Sequence, residues 1–177
     1  DIWTRLIGAF NAYNLAAIFG CADILGMESN EVLRLMSNLK SVSGRFEFFV
    51  TDSNITVIID YAHTPDALKN ILLTINEIRT KNETLITVFG CGGDRDKTKR
   101  SKMGYIASAL SDKVIFTSDN PRSEDPDTII SEIQQGVEAQ NYNKSISITN
   151  RDQALTTACQ LATSKDIILV AGKGHET

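Results

Sequence analysis

Val114-Ile115-Phe116-Thr117 runs directly into Ser118-Asp119-Asn120-Pro121-Arg122. A short apolar run bounded by Asp, Asn and Pro reads as a buried strand ending in a turn, so its polar groups emerge at the carboxyl end. Three more segments have the same form. Val57-Ile58-Ile59 leads into Asp60-Tyr61-Ala62-His63-Thr64-Pro65, Leu85 to Phe89 into Gly90 to Asp96, and Ile167 to Val170 into Ala171 to Glu176. Four apolar strands therefore end in loops rich in Gly, Asp, Arg and His. Parallel strands would set all four loops along one sheet edge, where open α/β folds bind ligands.

The intervening segments support that arrangement. Pro65 suits the first turn of a helix running to about Arg79, with Asp66 favourable against its dipole. Further helices are predicted at about Lys99 to Leu110, Asp127 to Glu138 and Asp152 to Ala162, with strands at Lys113 to Thr117 and Ser145 to Ile148. Strands alternating with helices imply βαβ units and a mostly parallel, doubly wound sheet. Arg45 to Val50 and Asn54 to Asp60 are joined by a tight polar turn, so this first pair should be antiparallel.

Upstream the pattern changes. Leu15 to Leu25, closed by Gly26, reads as a buried helix with Asn near its start, and Ser29-Asn30-Glu31 begins a second helix with a stripe of Val32, Leu33, Leu35, Met36 and Leu39. The small residues Ser41-Val42-Ser43-Gly44 mark the boundary between a helical piece, 1–43, and the α/β domain, 44–177.

Composition narrows the function. The chain has 177 residues, is 42% hydrophobic and 23% charged, and carries a net charge of −4, which suits a globular protein and gives no overall positive field for a nucleic-acid backbone. Cys21, Cys91 and Cys159 are widely spaced and odd in number, which disfavours disulfides and zinc and fits a cytoplasmic setting. No apolar run approaches membrane-spanning length, and no signal-peptide pattern opens the chain. A monomer is the expectation.

The loops carry the chemistry. Gly90-Cys91-Gly92-Gly93-Asp94-Arg95-Asp96 would let backbone approach a ligand closely, or would simply make a tight turn. It lacks G-x-G-x-x-G spacing, and no acidic residue closes a following strand about 20 residues on. Asp119 and Arg122 pair a carboxylate with a guanidinium, and Arg95 and Glu176 offer a second such pair. An amino-acid zwitterion needs both signs, an Arg fork for its carboxylate and acidic oxygens for its ammonium. The alternative makes Asp119 a cap and Arg122 a solvated charge. His63 and His175 both fall in strand-end loops, where phosphate or ribose contact and a structural hydrogen bond are the competing readings. Asp60 suits a ribose hydroxyl or a metal-bound water, or else caps the helix at Pro65.

Six ordered motifs resemble those of the Mur ligase family: Gly8-Ala9-Phe10-Asn11-Ala12-Tyr13-Asn14, Gly44-Arg45-Phe46-Glu47, Asp60 to Leu68, Phe89 to Asp96, Asp119-Asn120-Pro121-Arg122 and Gly172-Lys173-Gly174-His175-Glu176. The resemblance covers essentially the whole chain and is closest to members that add the third residue of the peptidoglycan peptide. It implies the tail of a central ATP-binding domain, 1–43, followed by an incomplete Rossmann-like C-terminal domain, 44–177. The family's P-loop is absent from this sequence, so the resemblance implies a C-terminal fragment, inactive alone.

The implied reaction is ATP-dependent amide formation. ATP phosphorylates the D-glutamate carboxylate of UDP-N-acetylmuramoyl-L-alanyl-D-glutamate (UDP-MurNAc-L-Ala-D-Glu), and an incoming amino group attacks the acyl phosphate; Mg²⁺ is held mainly outside this chain. By resemblance Asn14, Arg45, Asp60 and His63 serve ATP. Arg95, Asp119, Asn120, Pro121, Arg122, Gly172 and Glu176 hold the amino acid, and no residue here is assigned to metal or to the catalytic step. The Arg of Asp-Asn-Pro-Arg implies meso-diaminopimelate, with an L-lysine-adding relative and a Rossmann nucleotide-binding module without ligase activity as the alternatives.

Overall fold

The computed structural model of the chain describes residues 2–4 and 6–174. The chain divides into two compact units, Asp1–Val42 and Ser43–Thr177.

The first unit is a helix pair. Helix α1 (Ala9–Ile24) ends in a left-handed Gly26, with the Gly26 and Met27 amides bonded back to Asp23 and Ala22. Helix α2 (Ser29–Ser37) is capped by the Glu28 carboxylate, which accepts from the Glu31 amide. Leu15, Ala22, Val32 and Met36 form the shared core. Two sequence expectations change here. Helix α1 starts earlier than predicted, so Asn14 lies inside it, and it is not a buried helix, because α2 covers only one of its faces and leaves Ile24 and Leu25 exposed. The predicted stripe of α2 is likewise narrower, with Leu35 and Leu39 exposed.

The second unit is one six-stranded sheet, composed of β1 (Glu47–Val50), β2 (Thr56–Asp60), β3 (Leu85–Phe89), β4 (Lys113–Phe116), β5 (Ser145–Ser147) and β6 (Ile167–Ala171) in the order β1-β2-β6-β3-β4-β5. Only β1 and β2 run antiparallel. Their turn is fixed by Asn54 at a φ of 59° and by the Asn54 amide donating to the Thr51 carbonyl. The parallel register sets Asp60 opposite Ala171, Val88 opposite Val170 and Phe89 opposite Phe116, so four strands end level at one edge. The predicted sheet, its antiparallel first pair and its shared carboxyl edge are all present.

The helices of this unit are α3 (Pro65–Ile78), α4 (Thr98–Leu110), α5 (Pro126–Gln134) and α6 (Arg151–Leu161). Alternation along the strands assigns the faces. Ile86, Val88, Ile115 and Ile168 pack with Ala154 and Ala158 of α6. Thr87 and its same-side neighbours face the opposite way, and the Thr87 hydroxyl meets that of Ser111, the C-cap of α4. Helices α3, α4 and α5 pack side by side. The helix predicted at Asp127 to Glu138 ends earlier, at Gln134, and a 3₁₀ turn at Ala139–Lys144 follows it.

Helix α4 and the end of α5 touch backbone to backbone. A Cβ on Gly136 would lie 1.7 Å from the Ser101 carbonyl oxygen, and one on Gly104 would lie 2.0 Å from that of Ile133. Gly136→Ala should therefore destabilise by about 1–3 kcal/mol, the usual cost of overpacking. Gly20→Ala in α1, whose added Cβ meets nothing within 4 Å, should instead stabilise by roughly 1 kcal/mol. Urea denaturation of both variants checks the contrast.

Candidate functional site

The level strand ends enclose a cavity of about 470 Å³. Tyr61, His63, Thr64 and Pro65 line it from beyond β2, and Gly90, Cys91, Gly92, Arg95 and Asp96 from beyond β3. Asp119, Asn120 and Arg122 follow β4, Gly172 follows β6, and Thr98, Lys99 and Lys102 come from α4. Six residues predicted from sequence thus share one cavity: His63, Arg95, Asp119, Asn120, Arg122 and Gly172. Glu176 and His175 lie outside the described residues.

The loops after β3 and β4 are tied directly to each other. The Gly93 amide donates to the Asn120 carbonyl at 2.9 Å, the Asp94 amide to Glu124 Oε1 at 2.6 Å, and the Ser123 hydroxyl to Asp94 Oδ1 at 2.7 Å. A Cβ on Gly90 would meet the Thr117 carbonyl oxygen at 2.2 Å, and one on Gly93 that of Pro121 at 1.9 Å. These glycines therefore admit the neighbouring loop's backbone. Pro121, predicted to touch ligand, is used here through its carbonyl.

Beneath them sits a group that sequence reading missed. Arg100 has no exposed surface, and its Nη1 and Nη2 donate to Glu124 Oε2 and Oε1, both at 2.9 Å. Nη1 also reaches Glu132 at 2.6 Å and Nη2 the Gly92 carbonyl at 3.3 Å, so one guanidinium binds the loop after β3, the loop after β4 and helix α5. These partners raise the Arg100 pKa above the ordinary guanidinium value.

Asp119 accepts from its neighbour's amide, Asn120 N, at 2.6 Å, and its Oδ2 lies 2.9 Å from the position a Cβ on Gly172 would take. It caps no helix, because Asp125 caps α5. Arg122 is exposed at a φ of 52°, where its left-handed backbone carries it on the crown of the loop, and Nη1 donates to the Gly93 carbonyl at 2.9 Å. Its side chain is therefore open to water while its tip is bonded to the neighbouring loop. Arg151, also missed, donates to the carbonyls of Ser118, directly before Asp119, and of Ala171, directly before Gly172.

Of the residues expected to serve nucleotide, Asp60 closes β2, His63 follows it and Arg45 precedes β1. Asp60 caps no helix, since Thr64 caps α3. Its Oδ2 and Oδ1 accept from the Phe46 and Ala62 amides, both at 2.8 Å. Burial raises its pKa against the pull of these bonds and of Arg45. The Arg45 guanidinium lies 4.5 Å from the Tyr61 ring centroid, and the Tyr61 and His63 rings are 4.7 Å apart. His63 Nδ1 is 2.9 Å from the Tyr61 carbonyl, and Lys99 donates to the carbonyl of His63 at 2.8 Å. Asn14 belongs to the first unit, where its amide donates to Asn11 Oδ1. Burial pushes the Cys91 thiol up to about 11, so it forms an inert part of the wall.

The cavity thus presents Arg95, Arg122, Lys99 and Lys102 beside Asp96 and Asp119. Both signs converge on one volume, the requirement for holding a small zwitterion. Among the described residues no three His, Cys, Asp or Glu side chains gather to hold a metal ion, and no helix is long and apolar enough to cross a membrane.

Residues 44–174 match the family model described as Mur ligase, glutamate ligase domain. The chain is 53% identical over 175 residues to the UDP-N-acetylmuramoyl-L-alanyl-D-glutamate--2,6-diaminopimelate ligase of Cytophaga hutchinsonii, with 99% of the chain and 36% of that protein covered. It is 46% identical over 177 residues to the ligase of the same name from Halalkalibacterium halodurans, covering 100% of the chain and 35% of that protein. A solved ligase of that name superposes with a TM-score of 0.71 at 36% identity, over 99% of this chain and 35% of the other. The chain therefore spans about a third of the length of the curated relatives it matches.

The Arg100 clamp has an acid signature. Hydrogen bonds from Arg100, then from the Asp94 amide and Lys97, hold the Glu124 carboxyl well below the usual carboxylate range. The folded state then binds fewer protons than the unfolded one, so the stabilisation is complete above the ordinary value of 4.5 and is lost as pH falls below it. Glu124→Gln should lower stability at neutral pH and flatten the profile on the acid side. Urea titrations from pH 3 to 7 read both effects.

Proposed function

The chain belongs to the Mur ligase family, and on that premise we propose that it is the amino-acid-accepting part of an ATP-dependent ligase. The full protein would join meso-diaminopimelate to UDP-MurNAc-L-Ala-D-Glu in peptidoglycan precursor synthesis, in the cytoplasm. The carrying observation is the shared cavity lined by Arg95, Asp119, Asn120, Arg122 and Gly172. Relatives named for this diaminopimelate ligation support the reading across essentially the whole chain.

The proposed chemistry has two steps. The γ-phosphoryl of ATP is transferred to the D-glutamate carboxylate, releasing ADP and converting a poor acyl leaving group into a good one. The uncharged amine of the acceptor then attacks the acyl carbon, the tetrahedral adduct expels phosphate, and the amine proton departs as the amide forms. The chain's own residues supply binding and orientation in this scheme. An Arg fork takes an acceptor carboxylate, and Asp119 takes an ammonium group. Arg45, Asp60 and His63 are proposed for the nucleotide; Asp60 would act through lone pairs left after its two backbone bonds. No step is assigned to Mg²⁺ through residues of this chain.

Diaminopimelate differs from lysine by a second carboxylate beside the distal amine, so a cation reserved for that group selects between them. In the full-length protein, ADP release should depend on the amino acid, with diaminopimelate preferred by about 10- to 150-fold, the equivalent of one charge-assisted hydrogen bond at about 1.5–3 kcal/mol. Arg122→Ala should cost diaminopimelate about 1.5–3 kcal/mol in kcat/KM, the range for a charge-assisted hydrogen bond. Lysine should gain little, because deletion builds no lysine pocket. Comparable wild-type rates with lysine would overturn the assignment, and an unimpaired Arg122→Ala enzyme would move the distal carboxylate to Arg95.

A further inference from the structure

Arg151 is the first residue of α6, directly after its N-cap Asn150. That is the end of a helix where the backbone dipole disfavours a cation. The side chain is nonetheless substantially withdrawn from water, which lowers the Arg151 pKa, with the Asp119 charge opposing that shift. Among the described residues it makes no ion pair. Its hydrogen bonds go to neutral carbonyls, Nη1 to Ser118 at 3.3 Å and Nη2 to Ala171 at 3.2 Å.

Those two carbonyls belong to the ends of β4 and β6, which are not neighbours, since β3 lies between them. The forked guanidinium reaches both ends at once, one Nη to each carbonyl, where a lysine would have to donate to both from a single nitrogen. Each carbonyl immediately precedes a proposed acceptor-binding residue, Asp119 after Ser118 and Gly172 after Ala171. The two residues meet there, with Asp119 Oδ2 2.9 Å from the place of a Gly172 Cβ.

We propose that Arg151 is a positioning residue for the acceptor amino acid, holding the β4 and β6 ends together so that Asp119 and Gly172 keep their mutual placement. The proposal rests on the reading of the cavity as the acceptor site. Arg151 itself does not line the cavity. Its influence passes through the backbone it grips.

The test uses the full-length enzyme with Arg151→Met and Arg151→Lys, measuring KM separately for meso-diaminopimelate, ATP and UDP-MurNAc-L-Ala-D-Glu. Arg151→Met should raise the acceptor KM on the order of tenfold or more while the other two stay within about twofold. Arg151→Lys should resemble Met more than wild type, because charge is retained and the fork is lost. An acceptor KM that stays at the wild-type value, or three KM values rising in step, would overturn the proposal and leave Arg151 a general brace. Should the Met variant fail to fold, Arg151→Lys carries the same criteria. A wild-type enzyme without amino-acid-dependent ADP release would instead refute the function itself, so the two failures are distinguishable.

Discussion

A guanidinium sealed from water must be paired, and the pairing of Arg100 organises the carboxyl edge of the sheet. Removing a charge from solvent costs several kcal/mol unless good geometry compensates. Arg100 meets that cost with a two-pronged contact to Glu124, a third bond to Glu132 and a fourth to the Gly92 carbonyl. The start of α4, the glycine loop, the loop carrying Asp119 and Arg122, and helix α5 therefore share one anchor. The close approach of α4 to α5 through Gly104 and Gly136 serves the same body from below. With that anchor in place, the loops add their own cross-bonds, and Arg122 can stay exposed while its base is fixed.

The sheet was legible because its signals are local. Apolar runs of four or five residues, separated by capped helical segments, state both the strand and the end at which polar groups emerge. Asp-Asn-Pro-Arg and the Gly-rich loop announced themselves by composition, and the cavity brings them together as the strand spacing implied. Arg100 could not be found that way. Arg100 stands among Lys97, Lys99 and Lys102 with nothing in its own surroundings along the chain to set it apart, and what selects it for burial is a pair of glutamates that reach it only through the fold. Arg151 escaped for the same reason, as its partners are carbonyls that carry no mark in the sequence. The competing readings of Asp60 and Asp119 as helix caps failed because Thr64 and Asp125 do that work.

Glycine was the most ambiguous letter. Gly90 and Gly93 invited a reading of close backbone approach to a ligand, and a close approach exists, but to the carbonyls of Thr117 and Pro121. A missing side chain says that something comes near without saying what. Helix α1 shows the complementary ambiguity: an apolar sequence announces the capacity to be buried, while the extent of burial depends on which surfaces its own unit supplies.

The strand order bears on how the chain assembles. Strand β6 comes last of the six in the chain yet sits between β2 and β3, pairing Ile58 with Leu169 on one side and Thr87 with Leu169 on the other. During synthesis β2 and β3 emerge early and cannot complete the sheet, because the strand that joins them is made about a hundred residues after β2, a separation that slows pairing through loop-closure entropy. Without β6, the edges of β2 and β3 that it covers lack their partner, and unpaired edges of that kind invite association with other chains. Closure of the sheet and completion of the cavity thus both depend on β6, and Gly172 is carried into the site by the strand that completes the core.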